Sequence, residues 1–243
     1  MRLGRLDYTM PRKKIVFIIV EGPSDDEALG LMFEKIFSND TVFVHIAYGD
    51  ITTQTDRSKI IATIGNVVKH YAKSNHLTKK NFKQIIHIVD TDGAYIPDDA
   101  IIENLAAQKT IYSITNIQTA NTGSIQIRNN NKRNCLDRIA SAKTIWDIPY
   151  HTYYMSCNLD HVLYGEMNLS DEDKETKSIR FARKYKDNLS AFIQFICKSD
   201  FSVNDDYLSS WEFIKTDLHS LERHTNLGIS FKKVIDEYNS YLS

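Results

Sequence analysis

The chain has 243 residues, 42% hydrophobic and 25% charged, the balance of an ordinary globular protein long enough to build a core without staples. With 30 Lys and Arg against 31 Asp and Glu, its formal charge is −1, so no strongly basic or acidic total dictates a partner and only local clustering of charge can. Cys135, Cys157 and Cys197 are too scattered for a zinc cluster or a disulfide framework and read as reduced thiols of a cytoplasmic protein. No apolar run approaches the length of a membrane span.

Residues 1–12 read as a loose basic extension, with Met10 an alternative start and no cleavable leader pattern. Ile15 to Val20 is a continuous β-branched run ending at Glu21-Gly22-Pro23, which predicts a strand buried on both faces. Ser24 is expected to cap the next helix, with Glu27 completing a capping box and Leu29, Met32, Phe33, Ile36 and Phe37 on one face. Thr41 to Ala47 reads as a second strand and Asp56 to Ser74 as a second helix. Gln84 to Val89 is a third strand ending at Asp90-Thr91-Asp92-Gly93. Such repeated βα units predict a mostly parallel sheet with helices on both faces.

Further on, Thr110 to Ile114 suits a strand, and Asn129-Asn130-Asn131-Lys132-Arg133-Asn134 reads as a polar loop. His151 to Met155 is expected to be a strand, and Asn158 to Tyr164 the helix after it. Beyond Glu166 the pattern is helical, with long segments over residues 171–198 and 230–242. These features divide the chain into an α/β domain over 13–165 and a helical appendage over 166–243.

In open parallel sheets, ligands bind outside the carboxyl ends of the strands. Two strands here end in acids, at Glu21 and at Asp90 with Asp92, and adjacent parallel strands would bring them to one edge. Clustered carboxylates repel one another unless a cation intervenes, and hard oxygen donors favour Mg²⁺ or Mn²⁺.

The segment from Lys13 to Asp25, an apolar strand closed by Glu-Gly with an acid opening the helix, resembles the first motif of the Toprim family. Ile85 to Gly93, ending in Asp-Thr-Asp-Gly, resembles that family's Asp-x-Asp motif, and the similarity covers about residues 13–96. The resemblance implies a Toprim-like parallel sheet in which Glu21 is a general acid/base or metal ligand and Asp90 and Asp92 hold Mg²⁺. Asp25 is either a further ligand or a first-turn acid that suits the helix dipole. Asp90 and Asp92 have a plainer reading as turn formers. Asp160 is either an added carboxylate at the same edge or a helix-start acid, and His87 reads as structural.

Basic residues gather at Arg12, Lys13 and Lys14, then at Arg128, Lys132, Arg133, Arg138 and Lys143, and again at Arg180, Arg183, Lys184 and Lys186. The middle group is placed to neutralise phosphates, with Arg128, Lys132, Arg133 and Lys143 as candidate nucleic-acid contacts; the other reading is a solvated face. The expected activity is that of a standalone Mg²⁺- or Mn²⁺-dependent Toprim nuclease of DNA or RNA, as in phage defence or RNA processing. Without a GxxxxGK[ST] motif, any ATPase would be a separate partner, and the helical region offers a surface for it or for a homodimer. The alternatives are a nucleic-acid- or partner-binding module without its own activity, and a haloacid-dehalogenase-like phosphatase. In the latter, Asp90 would be the nucleophile and Asp205 and Asp206 the late acidic pair.

Overall fold

The computed structural model describes residues 13–232 and residue 236, and at its centre lies β1 (Ile15–Val20), all six residues of which are buried. Val16, Ile18 and Val20 join one apolar cluster, while Ile15, Phe17 and Ile19 join another. Alternation of side chains across a strand thus turns a single apolar run into two core surfaces.

α1 (Pro23–Ile36) starts earlier than Ser24. Gly22 is its N-cap, Pro23 takes the first helical position, and the Asp25 carboxylate accepts the Gly22 N–H at 2.9 Å. Proline suits that position because its φ is already helical and its missing N–H would have no partner there. β2 (Thr41–Ile46) lies parallel to β1. Asp50 then caps the single turn α2 (Ile51–Gln54) by accepting the Thr52 N–H. α3 (Ile60–Ser74) leads to β3 (Phe82–Asp90), which pairs with β1 on its other side.

After β3 the chain forms a small side sheet of β4 (Ile101–Glu103), β5 (Ile111–Tyr112) and β6 (Ile117–Thr119), in the order β4-β6-β5. The strand expected around Thr110 to Ile114 is β5, outside the main sheet. The polar loop expected at residues 129–134 is instead the middle of α4 (Thr122–Ala140). Its buried stripe runs Ile125, Asn129, Lys132, Cys135, Leu136 and Ile139, which is helical spacing with two polar residues at positions where apolar ones signal a helix. Tertiary contacts to Asn129 and Lys132 supply what side-chain propensity does not.

A hairpin of β7 (Thr144–Ile145) and β8 (Ile148–Met155) completes the main sheet, whose order is β2-β1-β3-β8-β7. Its first four strands are parallel and β7 is antiparallel, so the molecule is α/β with a mixed five-stranded sheet flanked by helices. α5 (Leu159–Tyr164) follows. The helix expected over residues 171–198 is two, α6 (Asp171–Tyr185) and α7 (Leu189–Lys198). Asn188 divides them by accepting the Ala191 N–H. α8 (Tyr207–Ile214) and a 3-10 turn over Leu227–Phe231 end the described fold.

α5, α6, α7 and the 3-10 turn contribute Val162, Phe181, Phe192 and Phe231 to the same cluster as Val16, Ile18 and α1, while Trp211 and Ile214 of α8 join the opposite one. The C-terminal stretch also crosses the ends of the central strands, where Ser156 N–H donates to His224 O at 2.9 Å and Cys157 N–H to Ser220 O at 2.8 Å. The basic extension with Met10 and Arg12, and most of the expected 230–242 helix, lie outside the described residues.

Candidate functional site

β1 and β3 are neighbours running the same way, so their last residues meet at one edge of the sheet. Glu21 follows β1 directly, and its Oε1 accepts the Asp90 N–H at 3.2 Å. Asp90 ends β3, and its Oδ1 accepts the Leu159 N–H at 3.0 Å from the start of α5. Asp25 folds back over the first turn of α1, where its Oδ2 accepts the N–H groups of Glu21 at 3.1 Å and Gly22 at 2.9 Å. Each of the three carboxylates is thus fixed through one oxygen by backbone donors, and no hydrogen bond to the other oxygen is made among the described residues. Together with Asp160 and Lys174 they line an open cavity of about 550 Å³, with the largely exposed Tyr48 also in its wall.

The acids in this cavity are held toward their protonated forms. Burial pushes Glu21 from the ordinary 4.5 up to about 8; the charge of Lys132 opposes that rise, and the charges of Asp50 and Asp92 add to it. Burial likewise raises Asp25 to about 6, against the hydrogen bonds from Gly22 and Glu21. Asp90 is raised well above the usual carboxylate range by burial, then by the neighbouring charges of Glu21, Asp25 and Asp92. Asp160 is buried and raised for the same reason, though Lys174 Nζ lies 3.5 Å from its Oδ2 and works the other way. Acids driven toward protonation by burial and mutual repulsion are what a divalent cation would relieve.

The Asp92 side chain leaves this cavity through the turn that follows β3. Thr91 is tied down by its N–H to Met155 O at 3.0 Å and its hydroxyl to Ser220 O at 2.8 Å. Asp92 then adopts a left-handed φ of 48°, with its N–H on Cys157 O at 2.7 Å and its own carbonyl on Arg128 Nη2 at 2.8 Å. Gly93 continues the turn at φ 66°, where a Cβ would sit 2.7 Å from Leu221 Cδ2. This turn delivers the Asp92 carboxylate to the ammonium of Lys132, which is fully buried on α4 and also bonds Asp50 Oδ2 at 2.8 Å. Neither Asp92 nor Asp50 lines the cavity of Glu21, Asp25 and Asp90. Burial alone would lower the lysine; Asp92, Glu21 and Asp50 reverse this and hold it above its ordinary value.

Of the residues expected to contact nucleic acid, only Lys143 is exposed. Lys132 is a correction: it is sealed among carboxylates rather than facing solvent. Arg128 is partly buried and engaged with Asp92 O, Asn129 and Tyr112, and Arg133 is partly buried with its Nε unpaired. His87 is buried, with Nδ1 2.9 Å from Tyr150 Oη and burial lowering it to about 4, a packing role. Asp206 caps α8 from an exposed position, accepting the Leu208 and Ser209 N–H groups, and Asp205 precedes it. Sequence reading missed Asp50 and Lys174. Asp50 could have been found, because it follows β2 at the same sheet edge as Glu21 and Asp90; nothing in the pattern of α6 singles out Lys174.

Among the described residues, no three His, Cys, Asp or Glu side chains already converge closely enough to enclose a metal ion. The donor set suits Mg²⁺ or Mn²⁺ in another way, as carboxylates lining an open cavity, because Mg²⁺ keeps several waters and binds through one or two carboxylates plus substrate phosphates. Comparison with family models, curated proteins and solved structures gives no match for this chain.

Proposed function

We propose that the protein is a Mg²⁺-dependent nuclease, with Mn²⁺ able to substitute, that hydrolyses phosphodiester bonds of DNA or RNA. The observation that carries this reading is the cavity at the sheet's carboxyl edge, lined by Glu21, Asp25 and Asp90, each with a carboxylate oxygen that has no hydrogen-bond partner among the described residues. The Glu-Gly and Asp-x-Asp motifs that lead into this edge resemble those of the Toprim family, which adds support from the sequence.

Asp90 and Asp25 would hold the ion, with Glu21 or Asp160 as an additional donor. When bound, Mg²⁺ supplies Lewis acidity toward a phosphoryl oxygen and steadies the leaving oxygen. Glu21, partly buried at the cavity wall beside Asp90, would be the group that exchanges a proton with water or a leaving oxygen. Lys174, at the cavity wall, is placed to meet a phosphate oxygen, and the exposed ring of Tyr48 offers a face for a base. A role in phage defence or RNA processing, with a separate ATPase or a second copy as partner, belongs to the same proposal. Among the described residues no helix is long and apolar enough to cross a membrane.

A phosphatase of the haloacid-dehalogenase kind is less well supported, because Asp205 and Asp206 stand at the start of α8 and do not line the cavity. The deciding experiment is a cleavage assay on single- and double-stranded DNA and RNA with Mg²⁺ or Mn²⁺. The protein is expected to cut, and Glu21→Gln or Asp90→Asn to lower the rate by at least about 10²-fold while remaining folded. Variants that cut as well as the parent would remove the site assignment, and turnover of phosphomonoesters alone would favour the phosphatase.

A further inference from the structure

The acidic edge contains more carboxylates than the cavity uses, and Lys132 explains the surplus. We propose that the Lys132 ammonium stands where a second divalent ion would otherwise sit, so that the centre takes one ion, on the Glu21–Asp25–Asp90 side, and Asp50 and Asp92 serve the lysine. The proposal rests on the metal-dependent reading of the site given above.

The geometry already fills this part of the edge with a cation. Lys132 has no exposed surface, and its Nζ bridges Asp50 Oδ2 at 2.8 Å and the Asp92 carboxylate. Asp50 is committed on both oxygens, since its Oδ1 accepts the Thr52 N–H at 2.8 Å. Asp92 is fixed through its backbone, by Cys157 O on one side and Arg128 on the other, and its carboxylate is held by the Lys132 ammonium. Lys132 reaches the acids from a helix whose neighbouring turn carries Asn129, buried and bonded to Gly93 O at 3.3 Å, so α4 is clamped to the Asp-Thr-Asp-Gly turn at two successive positions.

A second ion entering between Asp50 and Asp92 would have to displace a fully buried ammonium from both carboxylates. A buried ammonium between two carboxylates is a fixed cation in the same electrostatic role, with charge +1 in place of +2 and no exchangeable waters. Lys132 is therefore a positioning residue: it holds Asp92 away from the cavity and places a permanent positive charge behind Glu21. Asp92, although part of the Asp-x-Asp motif, is the lysine's partner.

The test counts ions on the full chain with Mn²⁺ alone as the probe, by calorimetry and by the loss of the free-ion electron paramagnetic signal. The parent is expected to bind one Mn²⁺ per chain. Asp90→Asn should lose that ion, Asp92→Asn should keep it with unchanged stoichiometry, and Lys132→Ala should admit a second. Two ions on the parent would overturn the proposal, as would loss of the single ion in Asp92→Asn or a folded Lys132→Ala that still binds only one. If Lys132→Ala does not fold, the parent's count and the Asp92→Asn result decide. A folded parent that binds no ion would remove the metal-dependent reading itself, an outcome distinct from a count of two.

Discussion

Asp50 and Asp92 share a protonated lysine, whereas Glu21, Asp25 and Asp90 line one cavity and, among the described residues, take hydrogen bonds from backbone N–H groups alone. The first group is neutralised by the chain itself: burial works against the Asp50 anion, yet Lys132 and the Thr52 bonds hold its carboxyl below the usual range. The second group is driven the other way, with Glu21, Asp25 and Asp90 all raised. One half of the edge is neutralised as folded, and on the proposed reading the other takes a cation from solution. The contrast separates carboxylates that hold the structure from carboxylates available to a ligand, which the motif alone does not do.

The sharpest way to break the comparison is to remove the internal cation. Lys132→Ala strips the half-buried Asp50 and Asp92 of their shared counter-charge, so a loss of about 3 kcal/mol, the low end for a buried pair, is expected in urea unfolding. A loss below about 1 kcal/mol, the range of exposed pairs, would show that the lysine is not the compensating charge.

The open half should respond to pH and metal instead. Between about pH 4.5 and 8 the unfolded chain releases the Glu21 proton while the folded chain still holds it, so metal-free stability should fall as pH rises through that window. Mg²⁺ should reverse the fall, by about 2.7 kcal/mol at a hundred times its dissociation constant. Thermal unfolding at pH 5.5 and 8, with and without Mg²⁺, checks both signs. A metal effect larger at pH 5.5 than at 8 would contradict the assignment of the cavity acids.

Two smaller effects probe the turn and the surface. Gly93→Ala forces a side chain into a left-handed position against Leu221, and a cost of about 1–2 kcal/mol is expected from the backbone alone. Lys143→Ala, at an exposed residue, should leave stability within about 0.5 kcal/mol. If Lys143 meets a phosphate, the same variant should lower the salt dependence of nucleic-acid binding by a slope of about 1. An unchanged slope would return Lys143 to the solvated surface.

The polar stretch Asn129 to Asn134 shows best where sequence reading stopped. Helix assignment relies on apolar side chains at helical spacing, and α4 fills two of those positions with Asn129 and Lys132 because the acidic edge needs them buried. The same substitution that hid the helix turned a candidate phosphate contact into the counter-charge of Asp92. Ser24 misled for a different reason: Pro23 and Asp25 start α1 earlier by supplying a fixed φ and an acceptor for the Gly22 N–H.

By itself the sequence determined the strands around β1 and β3, the α/β class and the arrival of Glu21 and Asp90 at one edge. Those follow from short-range patterns, since a fully apolar run has to be covered on both faces and adjacent parallel strands end together. Only the tertiary structure decided that Asp92 turns to Lys132, that Asp50 joins it, and that the helices after Glu166 pack on the same core as β1. The reason is that these pairings join residues far apart in the chain, through a left-handed turn and a buried charge whose partners no local periodicity reveals.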